Sequence, residues 1–470
     1  MHTTTERTSW GVLILLCIAQ FIVILDITVV NVALPTIGSD LDFAPNDLQW
    51  VVTAYLLLTG GLLLLGGRTA DILGGRPVFL AGLSIFTAAS LGSGLAESPS
   101  VLVTMRAAQG LGAALLLPAA LSIVTTTYVG AQRTKALSIW GAIGGAGAAL
   151  GLVLGGMFTT WLSWEWIFFI NIPVGLAVAG PAVRFLPRPA PKSSRRPGFD
   201  VPGAVSVVAG LAVLVYALEG TAEHGWGSTR TLVLLVLATA LLAVFISVER
   251  SIKSPLVPPE TWRNRSLISS AVVMFGATGL LIGTFFLNSI YQQHVLGTSA
   301  LTTGLQFVPL ALAIALATHA TAHLLSHVGS RTVAAAGLAL MAVGALVLTA
   351  APDHARYASD LLPGFIAIGL GVGLVFPAVS VTAMNDVGPN TAGLASGLMT
   401  TAHEVGAAVG VAVLSAVAAG TGELAESDGF AAGYGDGFLV AALIAAALLL
   451  VSLRAVPSVR PAEPLHGAIH

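Results

Sequence analysis

Fourteen runs of the chain are apolar over about 17–25 residues or more, the length a helix needs to cross a hydrocarbon core of roughly 30 Å. They lie near residues 10–33, 48–66, 77–96, 101–125, 136–159, 166–186, 201–219, 230–248, 266–290, 303–325, 332–351, 361–384, 391–418 and 430–453. In lipid each backbone N–H and C=O must be paired inside the protein, so runs of this length fold as helices. The expected fold class is an all-α membrane protein with fourteen transmembrane helices. Composition agrees, because hydrophobic residues make up 56% of the 470 and charged residues 9%, with a mean hydropathy of +0.90. That is too little charge to cover a soluble surface. A net charge of −2 gives no basis for nucleic-acid binding, and the single cysteine, Cys17, excludes an internal disulfide. The first run carries Asp26 and is too long for a signal-peptide core, so no cleaved leader is expected.

Basic residues fix an expected orientation. Arg68, Arg76, Arg133, Lys135, Arg184, Arg188, Lys192, Arg195, Arg196, Arg250, Lys253, Arg263, Arg265 and Arg331 follow even-numbered spans. The opposite loops carry acids, among them Asp40, Asp42, Asp47, Glu97, Glu165, Glu423, Glu426 and Asp428. The positive-inside rule then puts both termini in the cytoplasm. An internal repeat divides the chain. Gly74-Gly-Arg-Pro-Val-Phe-Leu-Ala-Gly-Leu83 recurs from Gly329 to Leu338, Gly110-to-Pro118 recurs as Gly369-to-Pro377, and Gly151 and Gly155 correspond to Gly406 and Gly410. The shift of about 255–259 residues equals eight spans, an even number, so the two copies share one orientation. The expectation is a six-helix half over 1–186, a linker with extra helices seven and eight over 187–260, a second half over 261–456 and a cytoplasmic tail over 457–470. The Pro- and Arg-rich stretch from Pro187 to Asp200 is the expected hinge.

Charged residues at bilayer depth cost a few kcal/mol each and usually mark a pathway or a buried pair. Asp26 lies about eight residues before the outer end of span one, and Arg106 about five residues into span four. At 1.5 Å per residue their depths differ by about 5 Å, so the two side chains are expected to meet. The pair serves either proton coupling or the permanent pinning of two helices. Glu404 lies near the middle of span thirteen, where its repeat counterpart is Ala149, so this acid belongs to one half only. It is the second candidate for proton coupling; His403 beside it, expected to point some 100° away on the helix, is a candidate for the substrate cavity or merely tolerated there. Gln20, Asn31, Thr53, Tyr55, Asn288, Tyr291 and Gln306 are candidates for cavity lining, each with a helix–helix hydrogen bond as the alternative. His319, His323 and His327 form one stripe in span ten, expected on a polar lumen face. No carboxylate or cysteine in that span completes a metal site, and no metal or cofactor is expected. The glycines of span five are not followed by the Lys-Ser/Thr of a nucleotide loop, so an ion gradient is the expected driving force.

Leu25-Asp-Ile-Thr-Val-Val-Asn-Val-Ala-Leu-Pro35, Gln49-Trp-Val-Val-Thr-Ala-Tyr-Leu56, Arg106-Ala-Ala-Gln-Gly-Leu-Gly112, Trp166-Ile-Phe-Phe-Ile-Asn-Ile-Pro-Val-Gly175 and Ala392-Gly-Leu-Ala-Ser-Gly397 stand at family spacing. By these the chain resembles the major facilitator superfamily, and within it the fourteen-span drug:proton antiporters of EmrB/QacA type. The resemblance implies two pseudo-symmetric six-helix halves, a bacterial cytoplasmic membrane, a monomer, and efflux of hydrophobic, cationic drugs or antibiotics against protons. It implies a gating latch at Asp71 and Arg76, with Gly74 and Gly75 at positive φ, and a gating role for Gly151 and Gly155. The chain departs from the pattern at Ile72 and Gly75, where basic residues are usual, at Leu152, where proline is common, and at Glu165, which replaces an arginine. The rival readings are a proton-coupled importer of a small polar metabolite, supported by the altered span-five motif, and a non-transporting membrane sensor.

Overall fold

The structure is a computed structural model that describes residues 3–44, 47–128, 130–186, 200–252, 255–351, 354–387, 392–420 and 427–460. Residues 187–199 of the expected hinge and 461–470 of the tail lie outside the described residues. Among these residues fourteen long helices follow in chain order: α1 Thr3–Asp40, α2 Trp50–Leu73, α3 Gly75–Gly94, α4 Pro99–Thr127, α5 Gly130–Trp161, α6 Asn171–Phe185, α7 Val201–Glu219, α8 Thr229–Ser251, α9 Arg265–Ile290, α10 Ala300–Val328, α11 Ser330–Leu348, α12 Leu362–Asn385, α13 Ala392–Gly420 and α14 Ser427–Ala455. Among the described residues thirteen helical stretches are long and apolar enough to cross a membrane, and α5 contributes the shorter apolar stretch Leu150–Trp161. The sixth expected span is broken, with a single turn at Trp166–Phe169 ahead of α6.

Helix starts follow local chemistry. The side chains of Asp200, Ser228, Asn264 and Ser299 each accept from a backbone N–H of the first turn of α7, α8, α9 and α10, which satisfies donors a helix start leaves unpaired. The repeat is visible in the turns. Gly74 (φ 95°) and Gly329 (φ 82°) occupy the left-handed region between α2 and α3 and between α10 and α11, where a Cβ would be strained. Gly75 does not share that conformation; it opens α3, and a Cβ there would lie 2.8 Å from Cγ1 of Ile123. Two residues after each turn glycine an arginine ties the start of one helix to the end of another. Arg76 donates to the carbonyl of Val183 at the end of α6, and Arg331 to that of Val456, just past α14, at 2.7 Å.

Proline shapes the interior as well. Having no N–H, it strands the carbonyl four residues earlier. Pro377 of α12 leaves the carbonyl of Gly373 to accept from the Thr321 hydroxyl of α10 at 3.0 Å. Pro118 of α4 leaves that of Ala114 pressed against Gly66 of α2, where a Cβ would collide with it.

The first half packs α2 and α3 on α4 and α1 on α5; the second packs α11 and α10 on α12 and α9 on α13. The halves meet along α2 with α13 and α5 with α10. These seams depend on small residues, as tightly packed membrane helices do. Gly60 of α2 lies where a Cβ would stand 2.8 Å from Cβ of Glu404, and a Cβ on Gly156 of α5 would stand 2.7 Å from Cα of Leu301 on α10. The extra pair α7–α8 packs on itself and touches α2 and α13 through α7, while α8 exposes Leu232, Val233 and Val236.

Candidate functional site

Asp26 and Arg106 meet as their depths require. Both are buried at 1% exposure, and a guanidinium nitrogen of Arg106 donates to Oδ2 of Asp26. The other carboxylate oxygen accepts from the Gln109 amide at 3.1 Å and the Asn171 amide at 2.9 Å. Arg106 also donates through Nε to the carbonyl of Val51 at 2.9 Å and to Oε1 of Gln109 at 3.0 Å, and lies over the ring of Tyr55, 4.4 Å from its centroid. Ser90 continues the network, receiving from Asn171 and donating to the carbonyl of Phe168, each at 2.9 Å. Asp26 is thus a fully partnered anion between α1, α4 and α6. Gln109 and Asn171 were not among the residues singled out from sequence. Both lie inside the quoted motifs, Gln109 one turn beyond Arg106 and Asn171 at the start of α6 just after the break, and those positions were the available signal.

Glu404 is built differently. It is 6% exposed on α13, at the seam with α2, and its Oε2 has no hydrogen-bond partner among the described residues. Its other oxygen lies 3.4 Å from Nδ1 of His403, whose side chain is 36% exposed. His403 therefore turns toward its neighbour rather than away from it, and its ring packs edge-on against Phe376 at 5.7 Å. One carboxylate oxygen therefore stands open in the interior of the seam, and a buried polar atom of this kind is stabilised by a partner. Tyr55 is fully buried on α2, the helix whose Gly60 faces the Cβ of Glu404.

The remaining candidates divide. Asn31 donates to the carbonyl of Ile27 at 2.8 Å and leaves Oδ1 unpartnered. With its amide turned so that donors meet acceptors, Gln20 pairs with the indole N–H and the backbone carbonyl of Trp140, each at 3.2 Å, a bond between α1 and α5. Asn288 accepts from the Tyr434 hydroxyl at 2.7 Å, and Tyr291 stacks on Tyr434 at 4.2 Å, both fully buried inside the second half. Thr53 bonds the carbonyl of Gln49 within its own helix at 3.0 Å. Tyr357 donates to the carbonyl of Gln306 at 2.7 Å, while the Oε1 of Gln306 is unpartnered. Gly151 and Gly155 are packing positions: a Cβ on the first would collide with the hydroxyl of Thr28, and one on the second would lie 2.7 Å from the carbonyl oxygen of Val29. Asp71 is exposed at the end of α2. The histidine stripe does not face a lumen: His319, His323 and His327 are exposed, and 100° per residue carries the line of exposed Leu305, Leu312 and Leu316 onto His323 and His327. The shared face was legible, but its direction was set by α10 packing its other side on α12.

At the end of the bundle that carries Asp40, four hydrogen bonds among the described residues join the halves. Ser289 of α9 donates to the carbonyl of Asn31 at 2.6 Å, and Gln293 to the carbonyl of Val32 at 2.9 Å. Ser415 of α13 donates to Gln49 at 2.5 Å, and the N–H of Leu301 to the Thr160 hydroxyl at 3.2 Å. The Asn31 carbonyl is free to accept because Pro35 stands four residues on in α1. Sequence showed the proline but not the partner that uses it.

Comparison with known proteins agrees with this architecture. Residues 16–411 match the Major Facilitator Superfamily. A cephamycin export protein from Amycolatopsis lactamdurans is 40% identical, over 100% of this chain and 96% of its own length. A puromycin resistance protein from Streptomyces alboniger is 41% identical, over 88% and 82%. Among solved structures the nucleoside transporter NupG shares the fold, with a TM-score of 0.64 at 14% identity over 93% of this chain and 99% of that one. The chain is a multi-pass membrane protein and belongs to the Major Facilitator Superfamily.

Proposed function

We propose that this protein exports hydrophobic antibiotics, cationic ones foremost, in exchange for protons, by alternating access between its two halves. The observation that carries the mechanism is Glu404, a buried acid with an open oxygen at the seam of the halves. Protonation of Glu404 removes the charge that would hold a cationic drug, and deprotonation restores it. Asp26, partnered on both oxygens, acts with Arg106 as the rigid centre of the first half. A proton moving down 100 mV supplies about 2.3 kcal/mol to each cycle. The names of the cephamycin and puromycin relatives support antibiotics as the substrate class. The bacterial export and resistance relatives support a bacterial cytoplasmic membrane, the distribution of Arg and Lys supports both termini inside, and the repeat supports two halves over 1–186 and 261–456. Expression in a drug-sensitive bacterium should raise the inhibitory concentrations of puromycin and of hydrophobic cations several-fold over an empty vector. Unchanged concentrations across a panel of such compounds would remove export as the function.

The bonds at the Asp40 end act in this reading as the outer gate. Opening it hands the Asn31 carbonyl from Ser289 to water. At about 0.5–1.5 kcal/mol per hydrogen bond, removing Ser289 and Gln293 should shift the population toward the open gate by about tenfold. Spin labels at Ser39→Cys and Ser299→Cys, in a Cys17→Ser background, should report longer distances when Ser289→Ala and Gln293→Ala are added. Pro35→Ala returns a donor to the Asn31 carbonyl, so its effect and that of Ser289→Ala should be less than additive. Unchanged distances would show that these bonds do not hold the gate.

A further inference from the structure

Outside the transport site, two acids meet at the Arg-rich end of the extra helix pair. Asp200 precedes α7 and is fully buried; Glu249 lies in the last turn of α8 and is 3% exposed. Oδ1 of Asp200 accepts from the N–H of Gly203 at 2.7 Å, and its Oδ2 has no partner among the described residues. Glu249 accepts on both oxygens from the segment that leaves α8, from the N–H of Leu256 at 3.2 Å and of Val257 at 2.9 Å. The two carboxyl groups stand within hydrogen-bonding range of each other. The segment they hold is structural: Leu256 and Val257 form a small apolar cluster with Ala204, packed against Leu62, Leu64 and Leu65 of α2 and Phe245 of α8.

Two carboxylates cannot both carry charge at this separation in a buried site without strong repulsion. Nor is a described cation present to neutralise them. Arg250 on α8 is exposed, Arg68 and Asp71 lie at the end of α2, Glu260 and Arg263 are exposed beyond the segment, and His403 and Glu404 belong to α13. We propose that Asp200 and Glu249 hold one proton between them, making this carboxyl pair a protonation site that latches α7, α8 and the Leu256–Val257 segment onto α2. A proton between Asp200 Oδ2 and Glu249 supplies the missing donor and leaves a single negative charge, which the three backbone N–H groups stabilise. Loss of that proton places two anions face to face. The latch is therefore closed at low pH and opens as pH rises, loosening the support of α2, the helix that carries Tyr55 and Gly60 to the transport site. The site does not depend on the export reading, because its proton is neither taken from nor given to a substrate.

Hydrogen exchange at the amides of Leu256 and Val257 tests it on the full chain in detergent. After correction for the intrinsic rate, protection should fall by about tenfold or more between about pH 5 and about pH 9, as the carboxylate that holds these amides is driven off. Asp200→Asn puts an amide donor where the shared proton was, keeps the oxygen that caps Gly203, and should stay protected across the whole range. Asp200→Ala should be poorly protected throughout. Flat protection in the wild type, pH dependence that survives in Asp200→Asn, or protection restored at high pH by added sodium or potassium would each overturn the proposal, the last by assigning a metal cation in place of the proton. The wild-type titration decides even if a variant fails to fold.

Discussion

Arg106→Ala should destabilise the protein by about 3–5 kcal/mol, more than a large-to-small change at an ordinary position on the same helix. The cost comes from what is left behind. Removing the guanidinium strands Asp26 at 1% exposure with an oxygen that no other described residue serves, and it frees the carbonyl of Val51. It also removes the cation from the face of Tyr55. Asp26→Asn alone is expected to be milder, because Asn keeps an oxygen for Gln109 and Asn171, although it leaves Arg106 without its anion. The double change Asp26→Asn/Arg106→Ala should recover part of the loss, since neither buried charge remains. Thermal melting in detergent, read by the loss of the monodisperse chromatographic peak, gives the order directly: wild type highest, then Asp26→Asn, then the double, then Arg106→Ala. A double variant as unstable as Arg106→Ala would mean that the ion pair is incidental and that the arginine acts through its packing.

How much of this was readable beforehand depended on the range over which each feature is encoded. The helices were legible because lipid forces every apolar run of sufficient length into the same structure. The Asp26–Arg106 pair was legible because two helices of known direction convert residue counts into depth. Even the pseudo-symmetry of Arg76 and Arg331 follows from a repeat that survives in the letters. Azimuth was not legible. Counting along a helix shows that His323 and His327 share a face with Leu316, but only the packing of α10 on α12 shows that the face looks outward. The same gap hid Gln20, which turns to Trp140, and Asn288, which turns to Tyr434. Pairings with no common motif were equally hidden. Ser289 reaches a carbonyl 258 residues away, and Asp200 finds Glu249 only because α7 and α8 fold back on each other.

Glu404→Gln should abolish coupling while leaving the fold intact. The change is isosteric, and the carboxylate makes no hydrogen bond through Oε2 that the fold would lose. Gly60 still faces the same Cβ, so the seam of α2 and α13 closes as before. What disappears, in the proposed mechanism, is the acid that alternates between a proton and a cationic drug. Asp26 cannot substitute while Arg106, Gln109 and Asn171 occupy both of its oxygens. Binding of neutral substrates should persist, whereas binding of organic cations should fall by about tenfold or more, the loss of a charge-assisted contact. The most direct measurement is proton release from the purified protein, followed with a pH dye in weakly buffered detergent as a hydrophobic cationic antibiotic is added. The wild type should release protons in proportion to the drug bound, and Glu404→Gln should release none at concentrations that still saturate it. Equal release from both would contradict the assignment and return the exchanging proton to Asp26.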